Sequence, residues 1–339
     1  MKRYINIIYD ELKRFIKNNY KGIIFLVLFS CFCFYDTNYM IYRPGGTIDA
    51  SKRISGNNLY ESKGTFNMAY VGVIQGKLPF YLLAKIIPTW ELIENNKFTI
   101  SDNEEINDVF ARDKLEYKKA LNDAIYVAFN EANIPYTIKS NKYYLTYKTP
   151  QNDSDLKIGD EIIKYDDNAF TNVLDFTKYI NTKNKGDKIK ITYIRNNKTY
   201  VTYSTLYEDN DRLYAGIAAD NIIEIESDYN IKVKTKASES GSSGGLINAL
   251  TVYNALTNED ITKGKKIVGT GTISQDGKVG EIGGIKYKLG SAVKKHADIF
   301  LCPKENLEEA LDYAKKYNYD IIIKDIGSFK EAIEYLKGV

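Results

Sequence analysis

Residues 241–245 read Gly-Ser-Ser-Gly-Gly, and 45 residues after Ser243 comes Lys288, in Gly283-Gly284-Ile285-Lys286-Tyr287-Lys288. These two stretches decide how the C-terminal part of the chain is read. Beyond Ser243, Leu246, Ile247, Leu250, Tyr253 and Leu256 recur at three- and four-residue steps, which predicts a helix. A serine at a helix N-terminus lies near unpaired N–H groups and the positive end of the helix dipole. Such donors can hold an oxyanion. On local sequence alone, Ser242 or Ser243 could equally be an ordinary N-cap. The chain has one histidine, His296, in Lys294-Lys295-His296-Ala297-Asp298, where it suits a helix C-terminus. Nucleophilic chemistry here therefore points away from a Ser-His-Asp triad and toward a Ser-Lys dyad. A lysine serves as a base only if burial lowers its pKa. Lys286, two residues earlier, falls on the wrong side of the same helix.

The segment from about Ala215 to Leu336 resembles the proteolytic domain of Lon proteases. The resemblance rests on Gly241-Ser242-Ser243-Gly244-Gly245, on Gly283-Gly284-Ile285-Lys286-Tyr287-Lys288, and on Val268-Gly269-Thr270-Gly271-Thr272-Ile273. It implies Ser243 as nucleophile, Lys288 as general base, and Thr270 as the residue supporting the lysine. Gly241, Ser242 and Gly244 would shape the loop. Ser242 stands where that loop usually has proline and Gly244 where it usually has alanine, so the residues stay small. Ser240 stands where many ATP-dependent members carry aspartate; Glu239 is adjacent but not equivalent.

Composition narrows the remainder. The chain has 339 residues, 27% charged and 44% hydrophobic, as in ordinary globular proteins. A net charge of +3 is too small and too dispersed for a nucleic-acid partner. Three cysteines cannot frame a disulfide scaffold, and all three are expected unpaired. No His, Cys, Asp or Glu grouping has metal-ligand spacing, so no metal and no cofactor are expected. No Gly-x-x-x-x-Gly-Lys-Ser/Thr sequence occurs, so the expected activity is independent of ATP.

Gly22 to Tyr35 is an uncharged apolar run preceded by Lys13, Arg14, Lys17 and Lys21 and followed by Asp36. That asymmetry predicts a cytoplasmic N-terminus and an extracytoplasmic remainder. The run is short beside the roughly 17–25 residues of a span. Tyr20, Tyr35, Tyr39 and Lys21 would extend it at the interfaces. A signal-anchor over 22–38 is the reading favoured over a cleaved signal peptide, a lipoprotein signal at Leu28-Phe29-Ser30-Cys31 or a buried core helix. Ile5, Ile8, Leu12, Phe15 and Ile16 fall at helical spacing, which predicts a short amphipathic helix on the inner leaflet.

Between anchor and Ser243, Arg43 to Ile93 reads as strands and turns, with Gly45-Gly46 as turn residues. Gly64 to Val73 reads as a strand that pairs with the C-terminal half. Glu94 to Asp108 reads as a surface loop, and Asp113 to Ala132 as a helix. Asn141 to Leu206 resembles a PDZ domain, on Tyr143 to Tyr147 as a strand and on Leu156-Lys157-Ile158-Gly159-Asp160-Glu161-Ile162 as its turn-and-strand signature. Val173 to Ile180 would be the helix beside a peptide groove, with Phe176 read as a groove residue. Lys188 to Arg195 turns through Asn196-Asn197 into Thr199 to Tyr203. In the C-terminal part, Val268 to Ile273 reads as one strand.

The fold expected is α/β (α+β): a Lon-type proteolytic domain with an inserted PDZ-like β-rich domain, preceded by one transmembrane helix. The divisions are 1–21 cytoplasmic segment, 22–38 anchor, 39–140 early strands and helix, 141–208 PDZ-like domain and 215–339 proteolytic domain. The arrangement is similar to that of the membrane-anchored YlbL-type PDZ/Lon peptidases of bacteria. It implies a serine endopeptidase in the cell membrane with its catalytic domain outside, acting on protein or peptide substrates. An oligomer stays open. The alternative is a non-catalytic scaffold that binds membrane-protein tails.

Overall fold

A computed structural model describes residues 2–95 and 105–339 and divides into two compact units, residues 1–43 with 72–97 and residues 44–71 with 98–339. In chain order the first elements are α1 (Lys2–Phe34), β1 (Asp36–Asp49), β2 (Ile54–Ser55), β3 (Thr65–Lys77), α2 (Leu78–Ala84) and β4 (Glu91–Glu94).

In the smaller unit the amphipathic segment and the apolar run form one continuous helix, α1, rather than two pieces. No proline interrupts it, and its one glycine, Gly22, costs only about 1 kcal/mol against alanine. Ile7–Phe34 is long and apolar enough to cross a membrane. The helix stops at Phe34, short of the expected residue 38: Asp36, Thr37 and Asn38 already belong to β1. Thr37 Oγ1 donates to the Gly76 carbonyl of β3, which fixes that turn away from helix. The Arg43 to Ile93 stretch also contains α2, which the sequence reading lacked. β1 and β4 pair antiparallel, Tyr39 opposite Glu94. Glu91–Glu94 is thus a strand that takes Glu94 from the expected loop; at the loop's other end Ile106 to Asp108 are already helical, and residues 96–104 lie outside the described residues.

The larger unit continues with α3 (Ile106–Glu131), β5 (Thr137–Lys148), β6 (Glu161–Tyr165), β7 (Asn168–Ala169), α4 (Val173–Ile180), β8 (Lys188–Arg195), β9 (Lys198–Thr205), β10 (Tyr207–Asp209), β11 (Arg212–Tyr214) and β12 (Ile217–Glu226). The remainder is β13 (Lys232–Val233), α5 (Gly245–Leu256), β14 (Lys266–Gly269), β15 (Thr272–Ile273), β16 (Val279–Gly280), α6 (Ile285–Lys294), β17 (Ile299–Pro303), α7 (Leu307–Tyr317), β18 (Ile322–Ile326) and α8 (Phe329–Gly338).

β18, β17, β14 and β3 lie side by side and parallel. β3 enters beside β14 with Phe66 opposite Ile267, so a strand from before the β-rich module completes the C-terminal sheet, as expected. Alternation along the strands sorts two cores. Phe66, Met68, Ile267, Ile299 and Leu301 pack with α3, α5 and α8 on one face. Ala69, Val268, Phe300 and Cys302 pack with α6 and α7 on the other. Gly45 and Gly46 sit inside β1 and not in a turn. A Cβ on Gly45 would lie 2.5 Å from the Tyr70 ring, so close approach to that ring explains the glycine.

The β-rich module is a sheet in the order β12–β5–β6–β8–β9, around a core of Leu145, Leu156, Ile162, Tyr165, Phe176, Ile180, Ile191 and Tyr193. Its hairpin turns through Asn196 and Asn197, both at positive φ, as the pair of asparagines predicts. Asp160 pairs with Arg195 at 2.6 Å and caps the Leu156 to Asp160 turn by accepting from the Lys157 N–H. Phe176 is buried against Tyr165 and Phe170, so it is a core residue and not a groove residue; Val173 and Leu174 are the exposed apolar positions of α4. β12 passes from this module onto α3. A polar seam marks the passage: Lys119 pairs with buried Asp123 at 2.5 Å, and Gln275 donates to Asp123 at 2.9 Å. Burial raises the Asp123 pKa above the usual carboxylate range, and the Lys119 ammonium works against that.

Candidate active site

Ser243 sits two residues before α5, in the turn that feeds it, and not within the helix. Backbone bonds to other elements fix this turn. The Gly241 N–H donates to the Asp113 carbonyl of α3, the Gly271 N–H donates to the Ser243 carbonyl, and the Leu246 N–H donates to the Gly271 carbonyl. Gly241 has φ +82, a conformation that favours glycine. Gly244 occupies the N-cap, where a Cβ would meet Met68 Sδ at 2.8 Å. Among the described residues, no backbone bond uses the N–H groups of Ser243 and Gly244 as donors.

The expected strand Val268 to Ile273 is broken. β14 ends at Gly269 and β15 starts at Thr272. Thr270 and Gly271 lie in the break. The Thr270 N–H donates to the Leu301 carbonyl, while its hydroxyl, fully buried, donates to the Ser243 carbonyl at 3.0 Å. The same hydroxyl accepts from Lys288 Nζ at 3.2 Å. Thr270 thus joins the serine turn to the lysine.

Lys288 lies in the first turn of α6, which opens on Gly284 at φ +71. A Cβ on Gly284 would stand 2.8 Å from Val71 Cγ2. Lys288 is only 3% exposed, unlike the solvated lysines that dominate this chain. Among the described residues no carboxylate pairs with it. Burial alone lowers its pKa, from 10.5 to about 8. Ser243 and Lys288 do not bond directly among the described residues; the Thr270 hydroxyl bonds to Lys288 and to the carbonyl of Ser243.

A cavity of about 260 Å³ opens beside Ser243, bounded by Ile48, Met68, Tyr70, Tyr117, Glu239 and Gly244, among others. One wall is polar. Arg53 Nη1 bonds both oxygens of Glu239, at 2.7 and 2.9 Å, and the Tyr117 hydroxyl donates to Glu239 at 2.8 Å. Burial works against ionisation of Glu239, but the Arg53 guanidinium and the Tyr117 hydroxyl outweigh it and hold the carboxyl below the usual range. Burial and the neighbouring Asp113 carboxylate raise the pKa of Glu116 of α3, outweighing Ser242, which lies close to it and lowers that pKa slightly. The sequence reading brought together Ser243, Thr270, Lys288, Gly241, Ser242 and Gly244, and missed Arg53, Tyr117 and Glu116. His296 is exposed just beyond the end of α6, at φ +53.

Residues 219–337 match the family model of the Lon protease (S16) C-terminal proteolytic domain, and residues 137–202 match that of the PDZ domain. The chain carries a PDZ domain and a Lon-type proteolytic domain. The fold is accordingly mixed helix and strand, and the C-terminal part is a peptidase domain. Because β3 pairs with β14, residues 65–68 belong to the sheet of the proteolytic domain although the match begins at 219. Solved structures similar to part of the chain include the PDZ domain of an SdrC-like protein from Listeria monocytogenes, at 26% identity. That match covers 24% of this chain and 92% of that one, with a TM-score of 0.22. The second domain of a Listeria protein is 24% identical over 27% of this chain and 90% of its own, with a TM-score of 0.20. No curated protein matches the chain.

Proposed function

We propose that the chain is a membrane-anchored, ATP-independent serine endopeptidase that cleaves extracytoplasmic proteins through Ser243 and Lys288. The observation that carries this reading is the buried lysine, paired with no carboxylate among the described residues and tied by Thr270 to the turn that bears Ser243. With a pKa near 8, a useful fraction of Lys288 is neutral at physiological pH. The neutral amine takes the Ser243 proton as Oγ attacks the scissile carbonyl. The oxyanion forms beside the N–H groups of Ser243 and Gly244 at the start of α5. The ammonium of Lys288 then returns its proton to the leaving amine as the C–N bond breaks. Water attacks the ester with Lys288 again as base, releasing the acid and free Ser243.

Orientation and recruitment complete the proposal. The basic residues before Gly22 support a cytoplasmic N-terminus. An extended peptide would add to the open sheet edge of the PDZ domain, which raises local substrate concentration without altering the dyad. Leu174 is 73% exposed on α4. Leu174→Asp is therefore expected to raise KM for a protein substrate several-fold while leaving cleavage of a short peptide unchanged. Steady-state kinetics on both substrates decide this. Equal losses on both would mean that the PDZ domain props up the active site instead. The function itself is tested by incubating the purified full chain with an unfolded protein beside Ser243→Ala. Cleavage by the parent alone supports the proposal, and cleavage by both removes it.

A further inference from the structure

The smaller unit carries an apolar helix face that its own core does not use. In α2 and the turn after it, Phe80 is 42% exposed, Leu82 43%, Leu83 43% and Ile86 76%. At about 100° per residue these positions, with Pro79, fall in one continuous arc of roughly 160°. The opposite side is occupied: Ala84 is buried, and the Tyr81 ring lies 5.4 Å from that of Tyr39 on β1. The helix is therefore fixed with its apolar arc outward.

Its position is fixed as well. The Leu78 N–H donates to the Tyr35 carbonyl at 2.9 Å, one residue beyond the end of α1, and Lys77 Nζ stands 5.0 Å from the Phe34 ring. The start of α2 thus abuts the end of the helix that is long enough to span a bilayer. Lys77 and Lys85 flank the arc, and Lys85 Nζ lies 4.6 Å over the Tyr81 ring. Apolar side chains on one face, with lysine and tyrosine at its border, match the boundary between headgroups and acyl chains. Lysines there also meet anionic headgroups.

We propose that α2 docks on the lipid leaflet from which α1 emerges, its Phe80–Leu83–Ile86 face in the upper acyl region. The proposal rests on the reading of α1 as the membrane span. The two act as one anchor: α1 crosses, and α2 lies along the surface and sets the height and tilt at which the chain leaves the bilayer.

Tryptophan quenching tests it, because Trp90 is the only tryptophan in the chain. In a Trp90→Phe background, Phe80→Trp reports α2 and Leu28→Trp reports the middle of α1. Each full-length variant is reconstituted into phosphatidylcholine–phosphatidylglycerol vesicles containing lipids brominated high or low on the acyl chain. Phe80→Trp is expected to lose most of its emission with bromine placed high and little with bromine placed low; Leu28→Trp shows the reverse. Ile86→Trp, on the same arc, gives a second reading if Phe80→Trp does not fold. Unquenched emission from both α2 positions beside a quenched Leu28→Trp overturns the docking and leaves the span intact. Emission unquenched at all positions overturns both. Quenching of α2 mainly by deep bromine also overturns an interfacial position.

Discussion

Lys288→Met should abolish cleavage and at the same time stabilise the protein at pH 7 by roughly 3 kcal/mol, taking about 1.4 kcal/mol per pKa unit. The folded protein holds this lysine at about 8 against 10.5 for an ordinary lysine, through burial. Below pH 8 both folded and unfolded chains bind the proton, and the folded state bears the full cost of a buried ammonium. Between about 8 and 10.5 the unfolded chain binds more protons, so the stability of the parent rises with pH across that window. Above 10.5 the penalty has gone. Methionine keeps the apolar stem and loses only the bond to Thr270. The advantage of Lys288→Met should therefore be largest at pH 7 and shrink toward pH 10. Urea unfolding of the two proteins across pH measures it. A variant less stable than the parent at pH 7 would mean that the lysine is a structural group satisfied by partners. Cleavage by the parent should rise with pH through about 8 and then level.

Ser243→Ala should lower the rate of cleavage by about 10³-fold or more, the scale on which removal of a nucleophile acts. Stability should change by less than about 1 kcal/mol, because the Ser243 carbonyl, not its hydroxyl, carries the bonds to Thr270 and Gly271. Ser242→Ala should keep most activity. Ser243, not Ser242, lines the cavity. Rates on an unfolded protein, with thermal unfolding as the control, separate the two serines. An inactive Ser242→Ala beside an active Ser243→Ala would shift the register of the loop by one residue.

What was legible in the sequence follows the range of the interactions. α4 has the bounds read from its pattern, and the Asn196-Asn197 hairpin turns where its residues require positive φ. Both are set by neighbours in the chain. The serine and lysine turns were legible because glycines mark them: Gly241 and Gly284 adopt positive φ. The break at Thr270 was not, since Val268 to Ile273 reads as one strand and the bonds of Thr270 and Gly271 to the distant Ser243 turn leave no local mark. The polar wall was hidden for a similar reason. Arg53 and Glu239 are separated by 186 residues, and Tyr117 and Glu239 by 122. No local pattern announces such pairs. α2 escaped because Leu-Pro-Phe-Tyr-Leu-Leu-Ala is short and apolar, and periodicity does not separate helix from strand in so short a run. Phe176 was misplaced because one helical turn of α4 carries both its buried and its exposed apolar residues.

Covalent labelling tests the central claim, that Ser243 is a nucleophile activated by buried Lys288. The full chain is treated with a fluorophosphonate at a series of pH values, and the adduct is located by peptide mass mapping. The account predicts a single adduct on Ser243, formed faster as pH rises through about 8, lost in Ser243→Ala and Lys288→Met, and kept in Ser242→Ala. An adduct on another serine, or labelling of Lys288→Met at the parent's rate, would contradict it.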